Sequence, residues 1–151
     1  MSELPPRHIR RAARVLLLDG QGRLLLFRYV PDNLPAFWIL PGGECEPDED
    51  FASAASRELF EETGIAAQPR CLAVTREFDY VYEGMPVRGI EHFFSHRTRE
   101  TRIDTSGHTE LEQRAMQEYR WFAPAELSGW HEPLYPADIA ELILQAILPG
   151  S

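Results

Sequence analysis

The sequence predicts an α/β fold, an α/β/α sandwich in which a mixed central β-sheet is covered by helices. Three observations lead to this prediction. Two pairs of β-like runs each flank a short turn that contains glycine, which predicts two hairpins. A helix-like segment with acidic residues at its start lies between these hairpins, and an amphipathic segment lies near the end of the chain. Strands and helices interleaved in this way are typical of a sheet with helices on its faces.

Strands are predicted where β-branched, aliphatic and aromatic residues dominate short runs. In chain order these runs are residues 9–18, 24–30, 37–40, 71–82, 87–98 and 119–122. The turn DGQG joins the first two runs and EGMP separates the fourth from the fifth, so both pairs are expected to be hairpins. The third run is expected to stop at the sequence Pro-Gly-Gly of residues 41–43.

Two helices are predicted. The first covers residues 50–63, because three acidic residues at 48–50 stand where a helix N-terminus favours negative charge. Gly64 follows as the left-handed residue at which such a helix ends. The second covers residues 136–148, where apolar residues recur at helical spacing. The segment between the second hairpin and residue 117 begins as a polar loop.

The length of 151 residues suits one domain. We expect residues 1–8 to form a flexible tail and residues 9–149 to form the domain. Hydrophobic residues make up 44% and charged residues 26%, as in soluble globular proteins. No apolar run approaches the roughly 20 residues that span a bilayer, and the start of the chain has no apolar signal-peptide centre. We therefore expect a cytoplasmic protein with no membrane partner.

The net charge of −9 argues against a nucleic acid polymer as partner, because a polyanion requires a basic surface. An acidic protein that acts on a phosphorylated ligand needs a metal ion or a local group of arginines. Cys45 and Cys71 do not form a CxxC pair, so a zinc site or a disulfide framework is not expected.

The first predicted helix carries three glutamates on one face. Glu58, Glu61 and Glu62 stand at positions i, i+3 and i+4, where side chains of a helix are neighbours. Such like charges destabilise a helix unless something neutralises them. Mg²⁺ binds oxygen ligands and commonly bridges carboxylates to substrate phosphates. The glutamates are therefore interpreted as a metal platform, against the alternative of a solvated surface face.

The glutamates belong to a longer pattern over residues 43–65. Its fixed residues are Gly43, Glu49, Arg57, Glu58, Glu61, Glu62 and Gly64, with Leu59 and Ile65 at the aliphatic positions. This pattern resembles the signature of the Nudix hydrolases, GX5EX7REUXEEXGU with U aliphatic, and every specified position is filled. The runs FWILPGG before it and RWFAPAEL after it are similar to looser features of that family. The resemblance therefore covers nearly the whole chain and implies a Nudix-type sandwich.

The resemblance implies hydrolysis of a diphosphate that is linked to another moiety X. It implies that Glu58, Glu61 and Glu62 hold Mg²⁺, with Mn²⁺ as the alternative ion. It also implies that Glu49 and Arg57 are structural residues of the motif that form an ion pair. Gly43 and Gly64 are its structural glycines.

Three glutamates are candidates for the general base. Glu61 and Glu62 lie within the motif, and some family members place the base in a loop outside it. Here that loop contains Glu110 and Glu112, and Glu112 is the candidate we prefer.

Candidate substrate-binding residues lie around the motif. Arg28 at the end of a predicted strand has the forked guanidinium that suits phosphate oxygens. Gly43 lets the backbone approach a ligand closely, and Glu44 adds a carboxylate at a position that is often glycine in the family. Arg14 and Arg76 are weaker candidates for phosphate binding.

Aromatic residues of the predicted strands are interpreted mainly as core. Phe78, Tyr80 and Tyr82 alternate along one strand, and we favour core packing over stacking against a base. Trp38 and Trp121 are expected in the core.

The sequence thus predicts a metal-dependent pyrophosphohydrolase. Nucleoside triphosphates, ADP-ribose and nucleotide sugars are all open as substrates, and the protein is expected to be a monomer or a homodimer. One alternative is a binding or sensing module of the same fold without catalysis, although such a module would be expected to have lost motif carboxylates. Another is an isoprenoid diphosphate isomerase, which requires a reactive cysteine and a histidine-rich metal site that this sequence does not display.

Overall fold

The computed structural model describes residues 8–116 and 118–147. Within these residues the strands are β1 (His8–Leu18), β2 (Leu24–Tyr29), β3 (Phe37–Ile39), β4 (Gly42–Glu44), β5 (Arg70–Tyr82), β6 (Met85–Arg97), β7 (Glu118–Phe122) and β8 (Leu134–Tyr135). The helices are α1 (Phe51–Thr63), α2 (Glu110–Ala115), α3 (Pro124–Leu127) and α4 (Ile139–Ile147).

All of these strands belong to one mixed sheet, as the sequence predicts. The order along the sheet is β5-β6-β1-β2-β3-β8, with β4 paired to β1 and β7 paired to β2. The two predicted hairpins, β1-β2 and β5-β6, are antiparallel. The long central strands β1 and β6 run parallel, and this pair makes the sheet mixed.

Helices cover both faces of the sheet. Alternate residues of β1 point to opposite sides, and each set packs against a different helix. Val15 and Leu17 belong to the apolar cluster that includes Ala54, Ala55 and Leu59 of α1. Leu16 and Leu18 belong to the cluster on the other face, where α4 contributes Ile139, Leu142, Ile143 and Ala146. The predicted sandwich is therefore confirmed.

Local capping fixes the ends of α1. The Asp50 carboxylate accepts a hydrogen bond of 2.7 Å from the backbone N–H of Ser53, as an N-cap residue does. Gly64 has a φ of 78°, and its N–H donates to the carbonyl of Phe60 at 2.8 Å. Both predicted ends are confirmed, so the glutamates of the motif occupy a rigid helix.

Strand β3 ends at Ile39, before the Pro-Gly-Gly sequence, as predicted, but the chain then forms a further strand that was not predicted. Residues Gly42–Glu44 form β4, which pairs antiparallel with β1 so that Gly43 lies opposite Ala13. Gly42 has a φ of 141°, and a Cβ atom there would lie 2.0 Å from the carbonyl oxygen of Ala13. Only glycine allows this close passage, which brings β4 beneath the end of α1.

Other boundaries also differ from the prediction. Helix α4 begins at Ile139, three residues after the predicted start, and α2, α3 and β8 were not predicted as separate elements. His8 is the first residue of β1 and so is not part of a tail. The remainder of the predicted tail, residues 1–7, and the predicted domain end at 148–149 lie outside the described residues. In the part of the chain that the structure describes, no helix is both long and apolar enough to cross a membrane.

Candidate active site

A cleft of about 640 Å³ opens where β4, α1 and α2 meet. The predicted site residues that line this cleft are Gly43, Glu44, Arg57, Glu58, Glu61, Glu62 and Glu112. Arg14 of β1 also lines it. The fold therefore gathers most of the candidate residues at one place, although they come from four separate elements.

Three carboxylates converge in this cleft. One oxygen each from Glu58, Glu62 and Glu112 lie within 4.8 Å of one another. Glu62 is fully enclosed, with 2% of its surface exposed. We call these three residues the carboxylate triad. Hard oxygen donors at this spacing suit a divalent cation such as Mg²⁺.

Burial makes the triad costly to charge without a cation. The pKa of Glu58 is raised to about 7, chiefly because the side chain is removed from water; the Arg57 guanidinium opposes this shift, and the nearby carboxylates of Glu61 and Glu112 add to it. Removal from water also raises the pKa of Glu62 well above its ordinary range, and the Glu58 carboxylate adds to this effect. A bound divalent cation would offset both effects, so the donor set fits the metal that the sequence predicts.

The glycines of β4 position the triad. The backbone N–H of Gly42 donates to Glu62 Oε2 at 2.9 Å and so fixes that carboxylate. A Cβ atom at Gly43 would lie 2.7 Å from Glu58 Oε1. Gly43 therefore contributes the space in which the Glu58 carboxylate lies, an effect that complements the predicted approach of the backbone to a ligand.

Arg57 is the central cation of the motif. It donates to both oxygens of Glu49, at 2.7 and 2.8 Å, which confirms the predicted ion pair. The same guanidinium lies 3.0 Å from Glu58 and 3.3 Å from Glu61. The Glu61 side chain is 42% exposed and lies outside the triad. Its predicted role as a metal ligand or base stays a prediction.

Glu112 reaches the cleft from α2, in a segment whose first half was predicted as loop. Thr109 caps this helix, and the Glu112 side chain accepts a hydrogen bond of 2.9 Å from the Thr109 backbone N–H. This reciprocal arrangement is a capping box, and its pattern, Thr followed three residues later by Glu, is visible in the sequence. That pattern could have predicted α2.

The loop before α2 is fixed to the end of α1. Buried His108 places its Nε2 2.9 Å from the carbonyl oxygen of Glu62, and the Asp104 N–H donates to the carbonyl of Thr63 at 3.0 Å. These carbonyls have no partner within the helix, so the loop satisfies them. These contacts hold Glu112 beside Glu62.

Arg28 does not reach the cleft. It donates to Glu132 at 2.8 Å and lies 3.5 Å from Glu118, in a separate depression that also includes Trp130 and His131. Arg14, the weaker candidate, lines the cleft instead, where its Nε donates to Glu91 at 3.2 Å. The structure therefore offers Arg14, and not Arg28, as the candidate arginine for phosphate binding in the cleft.

The contact of Arg28 with Glu132 predicts a pH-dependent contribution to stability. Hydrogen bonds from Arg28 and from Trp38 lower the pKa of Glu132 from 4.5 to about 2. This contribution is present above about pH 4.5 and is lost as the pH falls towards 2. We expect Glu132→Gln to lower the Tm at pH 7, with a difference from wild type that shrinks between pH 4.5 and 2.

Thermal unfolding across this pH range measures the effect. Glu118→Gln is the control, because Glu118 also lies near Arg28 but is 61% exposed, and it should change the Tm little. A Tm difference for Glu132→Gln that is the same at pH 7 and pH 2.5 would contradict the assignment.

The preference for core packing of the β5 aromatics was wrong. Phe78 is 37% exposed and Tyr82 is 52% exposed. Phe78 and Tyr80 line a cavity of about 260 Å³ beside the cleft, which we call the side pocket. Its other polar residues include Arg10, Arg14, Glu44, Glu91 and Tyr135. The two predicted core tryptophans are confirmed, since Trp38 is buried and Trp121 packs partly buried against the core.

Comparisons with known proteins match most of the chain. The model of the NUDIX domain matches residues 8–144. An RNA pyrophosphohydrolase of Dinoroseobacter shibae is 31% identical over 152 residues, which cover 91% of this chain and 90% of that protein. Phosphatase NudJ of Escherichia coli is 55% identical over 38 residues, about 25% of each chain.

Solved structures share the fold. A MutT protein from Methanosarcina mazei has a TM-score of 0.68 at 21% identity and covers 95% of this chain and 98% of its own. The ORF135 protein of E. coli has a TM-score of 0.65 at 25% identity and covers 99% and 100%.

Proposed function

Because this chain belongs to the NUDIX family of hydrolases, we propose that it is a divalent-metal-dependent pyrophosphohydrolase that cleaves the diphosphate bond of a nucleoside diphosphate linked to a further group. The observation that carries the proposal is the carboxylate triad. Three carboxylate oxygens within 4.8 Å, one of them fully buried, require a cation to be stable when charged.

The proposed metal ligands are Glu58 and Glu62, with Glu61 as a further ligand from the cleft mouth, and Glu112 is the member of the triad proposed below as the base. Mg²⁺ is the ion we propose, since the donors are all carboxylate oxygens, and Mn²⁺ is the alternative. A cation bound there supplies charge neutralisation of the diphosphate oxygens and a more acidic water. Residues of the chain itself perform the remaining steps of the reaction.

Glu112 is the proposed general base. It stands on a short capped helix at the edge of the cleft, opposite the α1 glutamates, and can accept the proton of the attacking water. The new bond joins the water oxygen to phosphorus and the anhydride P–O bond breaks, which leaves two phosphorylated products. Arg57 keeps Glu58 and Glu61 oriented through contacts of 3.0 and 3.3 Å.

Arg14 is the proposed phosphate-binding arginine. Its side chain lines both the cleft and the side pocket, and its forked donors suit phosphate oxygens. Glu44 lines the same two spaces and is held by Arg10 at 3.0 Å. A nucleotide that spans both spaces would place its phosphates beside Arg14 and the triad.

Nucleotides are the proposed substrates because the side pocket has an aromatic wall next to the cleft. Nucleoside triphosphates, ADP-ribose and nucleotide sugars are all included. The similarity to an RNA pyrophosphohydrolase adds RNA to these candidates, although the sequence charge predicts no polymer partner.

A substrate panel tests the proposal. These compounds are incubated with the protein and Mg²⁺, and the products are followed by ³¹P NMR, with EDTA as the control. We expect at least one compound to yield two phosphorylated products, with no reaction when the metal is removed. If no compound reacts at high protein concentration while nucleotides still bind, the non-catalytic binding module is the correct interpretation.

A further inference from the structure

The side pocket lies on the same face of the sheet as α4, and α4 covers the opposite end of that face. Strand residues of β1, β5 and β6 form its floor and one wall, and Tyr135 of β8 closes it. It shares Arg14, Ile39 and Glu44 with the catalytic cleft, so the two spaces adjoin. At about 260 Å³ the side pocket suits one ring system and not a whole nucleotide.

One wall of the side pocket is a flat aromatic surface. Phe78 lies opposite Gly89 in the β5-β6 register, and a Cβ atom at Gly89 would lie 2.7 Å from the Phe78 ring. Glycine therefore lets this ring lie across β6. The Tyr80 ring lies 5.6 Å away at an angle of 28°, and Phe78 keeps 37% of its surface exposed. An exposed ring face of this kind can stack on a planar base.

The polar floor of the side pocket is the carboxylate of Glu91, which is 4% exposed. One oxygen accepts from the Tyr135 hydroxyl at 3.1 Å and the other from Arg14 Nε at 3.2 Å. A carboxylate offers about four acceptor sites, so each oxygen can accept one more hydrogen bond. Two acceptors thus stand side by side next to the aromatic wall, and Arg14 beside them keeps further N–H donors.

From this arrangement we propose that the side pocket binds a base that presents a ring N–H beside an exocyclic amine, paired with Glu91 and stacked on Phe78. Guanine and the 2-amino-4-oxopteridines share this edge. Two parallel N–H donors use both oxygens of Glu91, whereas adenine brings a single amine beside an acceptor nitrogen. Hypoxanthine has the ring N–H but lacks the amine. The orientation of the phosphates towards the carboxylate triad rests on the proposed function.

Titration calorimetry with GMP and IMP tests the assignment, since these nucleotides differ only in the exocyclic amine. The full chain is used in the presence of EDTA, so that hydrolysis plays no part. We expect GMP to bind about tenfold more tightly than IMP or better, the scale of one hydrogen bond to a charged group. Equal affinity for GMP and IMP, or no binding of GMP, would overturn the proposal.

Two variants and a matched control locate the effect. Glu91→Gln should bring the GMP-to-IMP affinity ratio close to one, because an amide offers one acceptor in place of two. Glu77→Gln makes the same change on β5, at an exposed position whose side chain points to the other face of the sheet, and should keep the ratio. Phe78→Leu should weaken GMP and IMP alike. A GMP-to-IMP affinity ratio that is unchanged by Glu91→Gln would overturn the role of Glu91. If that variant does not fold, the ratio measured for the wild-type protein decides the question.

The source of the base and the proposed function are tested separately. Neopterin titrated in the same way distinguishes a pteridine from a guanine ligand, and tighter binding of either one supports the shared chemistry. Similar kcat/KM values for GTP and ITP would overturn the base assignment while leaving the hydrolase intact. Preferential binding of GMP without hydrolysis of any compound would instead remove the proposed function and keep the base assignment.

Discussion

Replacing Glu62 with glutamine is expected to lower turnover by about 10³-fold or more, the scale of several kcal/mol of transition-state stabilisation by a bound metal. Glu62 is the most buried member of the carboxylate triad. Glutamine has almost the same shape and can still accept the hydrogen bond from Gly42, so the fold should be kept. What the variant lacks is the negative charge that a cation requires. Steady-state hydrolysis of the best substrate from the panel measures the loss.

Stability provides a readout that does not depend on activity. Burial raises the pKa of Glu62, so an uncharged amide should leave the metal-free protein at least as stable as wild type. Ligands that bind only the folded state raise the Tm, and Mg²⁺ should therefore raise the Tm of wild type more than that of Glu62→Gln. Wild-type turnover in a folded Glu62→Gln protein would contradict the metal site.

Glu61→Gln is the matched control, because Glu61 lies one residue away on the same helix. Its side chain is 42% exposed and contacts Arg57, outside the triad. The geometry predicts a smaller loss for Glu61→Gln than for Glu62→Gln. Equal losses would favour the ligand set predicted from the sequence, Glu58, Glu61 and Glu62, over the triad.

Helix α1 could be predicted to within one residue at its start and to the residue at its end, because its determinants are local. The Asp50 cap and the left-handed Gly64 both lie within the short stretch of chain that the motif covers. The ion pair of Arg57 with Glu49 spans only eight residues. Interactions between residues so close in sequence can be identified without any knowledge of the sheet.

The strand residues were harder to assign because their environment depends on distant partners. Arg28 and Arg14 both stand on strands, and the sequence favoured Arg28. Its partner Glu132 lies 104 residues further along the chain, so the ion pair that holds it away from the cleft has no local signature. Phe78 is similar, since its exposure depends on which end of the sheet α4 covers. The sequence shows the alternation of side chains along β5, but it does not show which face of that strand is exposed.

Glu112 lies between these two cases. Its capping box with Thr109 is a local pattern, and it would have predicted a helix in the loop. Its position beside Glu62 depends on His108 and Asp104, which bind the end of α1 from more than 40 residues away. The resemblance to a family identified this residue as a candidate, whereas periodicity did not.

Replacing Glu112 with glutamine is expected to lower turnover by about 10²-fold or more, the usual scale of an acid–base contribution. Glutamine also suits the third position of a capping box, so α2 should remain folded. Glu110→Gln makes the same change two residues earlier, at an exposed position that does not line the cleft, and should leave turnover near that of wild type. Unchanged turnover in Glu112→Gln would exclude this residue from the role of base and from that of metal ligand.

The metal dependence of Glu112→Gln separates the role of base from that of ligand. If Glu112 is the base, the variant should lose turnover while it needs the same Mg²⁺ concentration for half-maximal activity. If Glu112 acts only as a ligand, more Mg²⁺ should be required, because the cation has lost one of three carboxylates. Its capping bond uses one oxygen, Oε1, and leaves Oε2 for the cleft. A single oxygen that faces both water and cation can serve only one of them strongly, so we expect one pattern to dominate, and we predict the first.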